Sequence, residues 1–144
     1  NPMENIVVDL KRTAGNVHFE AVSADHPQIT VPFDFHPPLG TGDGLSGLEA
    51  LVMTFSGCVS TGVVGLLRRL GKHVEGYSVH AEGERNEQPL SLRKILFHVM
   101  IESPDVTDED VQQVLKQAEM ISPVWIAIRG NVEVEATYQL SRTR

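Results

Sequence analysis

A chain of 144 residues, 41% of them hydrophobic, is the size of one domain and long enough to bury a core without disulfide staples. Its net charge of -7, with no basic patch, excludes nucleic acid or an anionic membrane as the main partner. Cys58 is the one cysteine, so no internal disulfide can form, which fits a reducing, cytoplasmic compartment. Asn1 and Pro2 precede Met3 and read as an expression remnant, leaving residues 3–144 as a single domain with no signal-peptide pattern.

Ile6 to Leu10 reads as a short strand. Thr13 to Asn16 suits a hairpin turn, and Asn16 to Val22 alternates, with Val17, Phe19 and Ala21 on one face. Gln28 to Phe35 is a third extended segment, which Pro32 pushes toward an edge. The run from Pro37 to Gly44 is too rich in glycine and proline for helix or inner strand and forms a surface loop.

Ser46 then stands at a helix N-cap, and Glu49 three residues later completes a capping box. Leu48, Leu51, Val52, Phe55, Val59, Val63, Leu66, Leu67 and Leu70 follow at three- and four-residue spacings, giving one broad apolar face on a helix that ends near Gly71. Glu49, Ser56, Ser60, Arg68 and Arg69 interrupt this stretch, so it reads as a buried helix and not as a membrane span. Cys58 lies mid-helix beside the apolar face. Gly57, Gly62 and Gly65 each cost about 1 kcal/mol of helix propensity relative to alanine, which close approach of another backbone compensates.

Val74 to Arg85 and Lys94 to Glu102 alternate again, joined by the polar segment Asn86 to Pro89. Thr107 caps a second helix, with Asp110 three residues on and an apolar stripe of Val111, Val114, Leu115 and Ala118. Pro123 breaks it, a short turn of helix runs to Arg129, and Asn131 to Leu140 is the last strand. Strands in groups with helices between the groups give an α+β class: antiparallel sheet with a long central helix. That helix is too apolar for one small sheet to cover, which motivates a homodimer.

The segment from Gly44 to Cys58, GLSGLEALVMTFSGC, resembles a motif of the OsmC/Ohr family: Pro-x-Glu-Leu, then small residues and Gly-x-Cys at a helix centre. Gly83-Glu84-Arg85 followed by Pro89 and Ile95 is similar to the family's Gly-Glu-Arg…Pro…Ile segment. Ile121 to Val124 falls where the family has Cys-Pro-Val, and Gly130 to Val134 matches its closing strand. The resemblance implies an intertwined homodimer with active sites between subunits and no cofactor or metal. It also implies thiol peroxidase chemistry, in which one cysteine attacks a hydroperoxide and a second resolves the sulfenic acid, with an arginine and a glutamate favouring the thiolate.

Cys58 matches the attacking position, and Ser122 stands at the resolving position, where a hydroxyl cannot form a disulfide. Leu48 occupies the place of the peroxidase carboxylate, while Glu49 matches the glutamate of other branches. Arg12 is the nearest candidate for the activating arginine. Two functions stand open: a one-cysteine peroxidase acting on a small organic hydroperoxide with an external thiol, and a non-catalytic homodimer binding a small apolar ligand.

Each candidate also has a plainer reading. Cys58 can be an inert buried thiol, and Glu49 a cap alone. Arg85 can pair across a dimer, line a pocket or be a solvated strand-end residue. His36 precedes the loop and can reach an interface pocket. Phe55 and Trp125 suit a core or interface as well as a binding site. The six histidines show no zinc-ligand spacing.

Overall fold

The computed structural model describes residues 3–144, so the expression remnant proposed at the N-terminus lies outside the described residues. Two compact units divide the chain, one through Ala50 and one spanning Leu51–Arg144.

The first unit holds β1 (Val8–Ala14), β2 (His18–Ser23) and β3 (His26–Phe33), paired antiparallel in the order β1-β2-β3. The first strand continues past Leu10 through Lys11, Arg12 and Thr13. Every residue of it is exposed, so no apolar alternation marks its length. Gly15, at φ 54, turns the chain into β2.

After β3 the chain loops back on itself. Leu45 donates to the Pro32 carbonyl (3.0 Å) and accepts from the Asp34 N–H (3.1 Å). Gly40 packs so closely on Phe35 O and Asp34 Oδ1 that a Cβ there would overlap both. This fixes the proline- and glycine-rich segment as a compact loop instead of a free one.

Helix α1 (Gly47–Arg69) opens with the expected box: Glu49 N–H donates to Ser46 Oγ (3.2 Å), and Ser46 N–H to Glu49 Oε1 (3.0 Å). It closes at Gly71, φ 78, with Gly71 N–H on the Arg68 carbonyl (2.9 Å) and Lys72 N–H on that of Leu67 (3.1 Å). That pair of bonds is a Schellman cap, which needs the left-handed residue that glycine supplies.

In the second unit, β4 (Gly76–Glu87), β5 (Leu90–Ser103) and β6 (Glu133–Arg142) form a sheet in the order β4-β5-β6. The hairpin between β4 and β5 is tighter than the sequence suggests, because the polar residues Asn86 and Glu87 still pair with Ser91 and Leu90. The last strand runs parallel to β5, not antiparallel, so the sheet is mixed. A parallel partner needs a long crossover, and α2 (Asp108–Ile121) with α3 (Pro123–Ile128) provides it.

The core of this unit is formed by alternate residues of β5, namely Ile95, Phe97, Val99 and Ile101, with Phe55, Val59, Val63 and Leu67 of α1. Val111, Val114 and Ala118 of α2 complete it. Thr107 caps α2 in a second capping box with Asp110, as its sequence dictates.

Candidate functional site

Cys58 sits mid-way along α1 as a free, half-buried thiol. The helix turns about 100° per residue, which puts Cys58 on the border between two faces. Phe55, Val59 and Val63 point into the core on one side, while Gly57 and Thr61 are exposed on the other. The thiol is therefore neither sealed in the apolar core nor fully in solvent.

One turn along the same row lies Gly62. A methyl there would stand 3.1 Å from Ser122 Oγ and 3.8 Å from Ala118 Cβ. Ser122 thus packs on α1 at Gly62, four residues and about 6 Å of helix rise beyond Cys58. The close approach expected of the three helix glycines is met inside the chain at Gly62; Gly57 and Gly65 face open space.

Ser122 joins α2 to α3: its N–H donates to Ala118 O (2.9 Å), and its carbonyl accepts from Ile126 N–H (2.9 Å). The residue is 2% exposed, and its hydroxyl has no hydrogen-bond partner among the described residues and caps neither helix. A buried hydroxyl without a partner is destabilising by about 1–3 kcal/mol, so local folding does not explain its presence.

Phe55 and Trp125 flank this region from the core side. Phe55 meets Phe97 edge-on (centroids 5.5 Å, 88°) and Trp125 at 5.3 Å and 65°. Both rings are buried, Phe55 fully, and their packing is that of a core cluster. Arg85 lies at a β-bulge of β4, opposite Leu92, exposed and with no ion pair among the described residues.

In the first unit, Arg12 is exposed on β1 opposite Phe19. His36 is exposed, its ring tilted against Phe35 at 4.1 Å. Glu49 is engaged in the helix cap.

The polar centre of this unit is a residue that sequence reasoning passes over, Asp34. It is 6% exposed, and its carboxylate accepts from Phe35 N–H (2.7 Å), Thr41 Oγ1 (2.8 Å) and Asp43 N–H (3.3 Å), with His18 Nδ1 at 3.4 Å. These bonds, led by that of the Phe35 N–H, hold its pKa well below the usual carboxylate range. An aspartate at the end of a strand before a glycine-rich loop was the available signal. The same loop borders a shallow hollow of about 260 Å³ between Phe19, Phe33 and Leu39.

A long capped helix carrying a lone half-buried thiol, with the α2–α3 junction packed one turn away, defines an α+β protein of the helix-borne thiol class. The chain belongs to the OsmC-like protein family, whose model matches residues 40–137, more than half of it.

Solved structures share the fold at low identity. An OsmC-like protein from Mycoplasma pneumoniae is 16% identical, with a TM-score of 0.81 over 96% of this chain and 99% of that one. An organic hydroperoxide resistance protein from Elizabethkingia anophelis, with thiocyanate bound, is 21% identical, with a TM-score of 0.72 over 99% of each chain. One described as an organic hydroperoxide resistance protein OsmC from Legionella pneumophila is 17% identical, with a TM-score of 0.75 over 96% and 99%. The sequence has no significant match among curated proteins.

Proposed function

We propose that this protein is a soluble, cytoplasmic, one-cysteine thiol peroxidase, acting as a homodimer of one domain over residues 3–144 and reduced by an external thiol. The observation that carries the reading is the seat of Ser122: its buried hydroxyl lies against Gly62, one turn along α1 from the half-buried thiol of Cys58.

The chemistry is that of a thiolate, the nucleophilic form. The sulfur of Cys58 attacks one oxygen of an organic hydroperoxide; the O–O bond breaks, and the alkoxide leaves and takes up a proton. Sulfur is oxidised to a sulfenic acid and the peroxide is reduced to an alcohol. With serine at position 122 no internal disulfide can follow. A small external thiol attacks the sulfenic sulfur and water leaves. A second such thiol then attacks the mixed disulfide, releasing Cys58 and an external disulfide. Arg12, Arg85 and His36 are the candidate cations and polar contacts for substrate, and Glu49 positions the start of α1.

The dimer rests on two observations. Of α1 only Phe55, Val59, Val63 and Leu67 are buried, and Met53, Gly57, Thr61 and Gly65 form an exposed row along it. An apolar helix face of small residues is well suited to pack on a second copy of itself.

The test is intact mass after stoichiometric cumene hydroperoxide, on wild type and Ser122→Cys. Wild type should gain one oxygen at Cys58, discharged by an added small thiol. Ser122→Cys should lose about two daltons as Cys58 and the new cysteine join. If wild-type Cys58 remains unmodified in excess peroxide, the peroxidase reading fails and a non-catalytic, ligand-binding homodimer takes its place. Sedimentation as a stable monomer at micromolar concentration would remove the dimer from either reading.

A further inference from the structure

The face of the β4-β5-β6 sheet turned away from α1 carries two histidines side by side. Strand β5 sends Ile95, Phe97, Val99 and Ile101 into the core, so His98, between Phe97 and Val99, lies on the opposite face. His80 of β4 is its register partner on one side and Thr137 of β6 on the other, so the three form one row across the sheet. Helix α1 packs on the inner face, and its exposed row looks away from the sheet. A second copy docked on α1 therefore leaves the histidine row open. The two histidines are far apart in sequence, and only the register joins them.

Each ring is tied by one nitrogen. His98 Nδ1 lies 2.7 Å from Thr137 Oγ1, and His80 Nε2 lies 3.1 Å from Glu82 Oε2. His98 Nε2 and His80 Nδ1 have no hydrogen-bond partner among the described residues. A histidine fixed through one nitrogen on a polar neighbour offers the other to a metal. Directly opposed residues of an antiparallel pair hold their Cβ atoms about 5 Å apart, close enough for two imidazoles to share one ion. The next row of the same face holds Glu82, Leu96 and Glu135. Lys94 Nζ, 3.7 Å away, offsets Glu135, and Glu82 is left to favour a cation. Among the described residues no group of three histidines, cysteines or carboxylates is placed to hold a metal, so water fills the other positions.

We propose that His80 and His98 bind a divalent transition-metal ion, Cu²⁺ most tightly, through one nitrogen of each ring. Imidazole suits such ions, and at a nitrogen site Cu²⁺ binds more strongly than Ni²⁺ or Zn²⁺. Two protein ligands and an open shell give an exchangeable ion and not a structural one. The site shares no residue with the Cys58 region, so it stands or falls independently of the peroxidase reading.

The probe is Cu²⁺ on full-length Cys58→Ser, in which no thiol reduces or captures the ion. Calorimetry should give one tight Cu²⁺ per chain, with Zn²⁺ weaker. Substoichiometric Cu²⁺ should broaden the amide signals of His80, His98 and Thr137 before any others. Glu82→Gln, which removes the partner that orients His80, should weaken Cu²⁺ about tenfold. His80→Gln and His98→Gln should each weaken it further and reduce a two-nitrogen electron spin resonance signature to one nitrogen. His73→Gln, remote from the row, should change nothing. Broadening spread evenly over all six histidines, a one-nitrogen signature before substitution, or equal affinity with and without His98 would each overturn the proposal.

Discussion

Of the seventeen hydrophobic residues buried among the described ones, sixteen lie in the unit Leu51–Arg144 and one, Ala21, in the unit before it. The first unit instead leaves Ile6, Val7, Val8, Leu10, Ile29 and Leu39 more than half exposed and organises its loop around the buried carboxylate of Asp34. The second unit has the ordinary architecture of a core, with sheet and helices closing over aromatic and branched side chains. A three-stranded sheet with so little buried apolar surface is marginal by itself. The contrast is between a unit organised around a buried apolar core and one whose buried centre is a hydrogen-bonded carboxylate.

The sharpest way to break this contrast is at the aromatic cluster. Phe55→Ala leaves a cavity between Phe97 and Trp125 and should cost about 3–5 kcal/mol in denaturant unfolding. A loss below 1 kcal/mol, on the same scale of buried-residue effects, would mean that the second unit does not depend on that core.

The counterpart in the first unit is Asp34→Ala. It removes the acceptor shared by Phe35, Thr41 and Asp43. The expected outcome is faster amide exchange over residues 34–45, with α2 and the β4-β5-β6 sheet still protected. Exchange spreading through α2 would contradict a local role.

Acid should imitate this change. The pKa of Asp34 is depressed in the fold, so its contribution is fully present above the unfolded carboxylate range, begins to fall below about pH 4 and is lost as pH drops through the depressed native value. Asp105 follows the same sign: the His73 backbone N–H, then its ring, lower it to about 2. Protection over residues 34–45 should therefore weaken progressively below about pH 4 and approach that of Asp34→Ala only at a pH low enough to protonate the native carboxylate itself.

The smallest effect expected is a gain. Ser122→Ala removes a buried hydroxyl with no partner and should stabilise the protein by about 1 kcal/mol. A loss of that size would show that the hydroxyl is satisfied in solution, by water or by ligand, and would strengthen its assignment to the Cys58 site.

Local chemistry alone determined a good part of this structure. Ser46 with Glu49, Thr107 with Asp110, Gly71 and Pro123 set the ends of the helices, because a cap is a contract between residues three or four apart. The alternation of Ile95, Phe97, Val99 and Ile101 determined the buried face of β5 for the same reason. The helix motif around Cys58, taken together with the order of the elements, pointed to the family.

Other features were decided only in three dimensions. Alternation says which face a strand buries but not the direction of its neighbour, so the parallel pairing of β6 with β5 waits on the crossover through α2 and α3. Strand β1 buries nothing, so its start was legible but no pattern marked its run past Leu10. Ser122 and Gly62 are sixty positions apart, and Asp34 draws on donors up to nine residues away across a folded loop. Such contacts depend on where the backbone brings side chains together, and residue spacing along the chain carries no record of that.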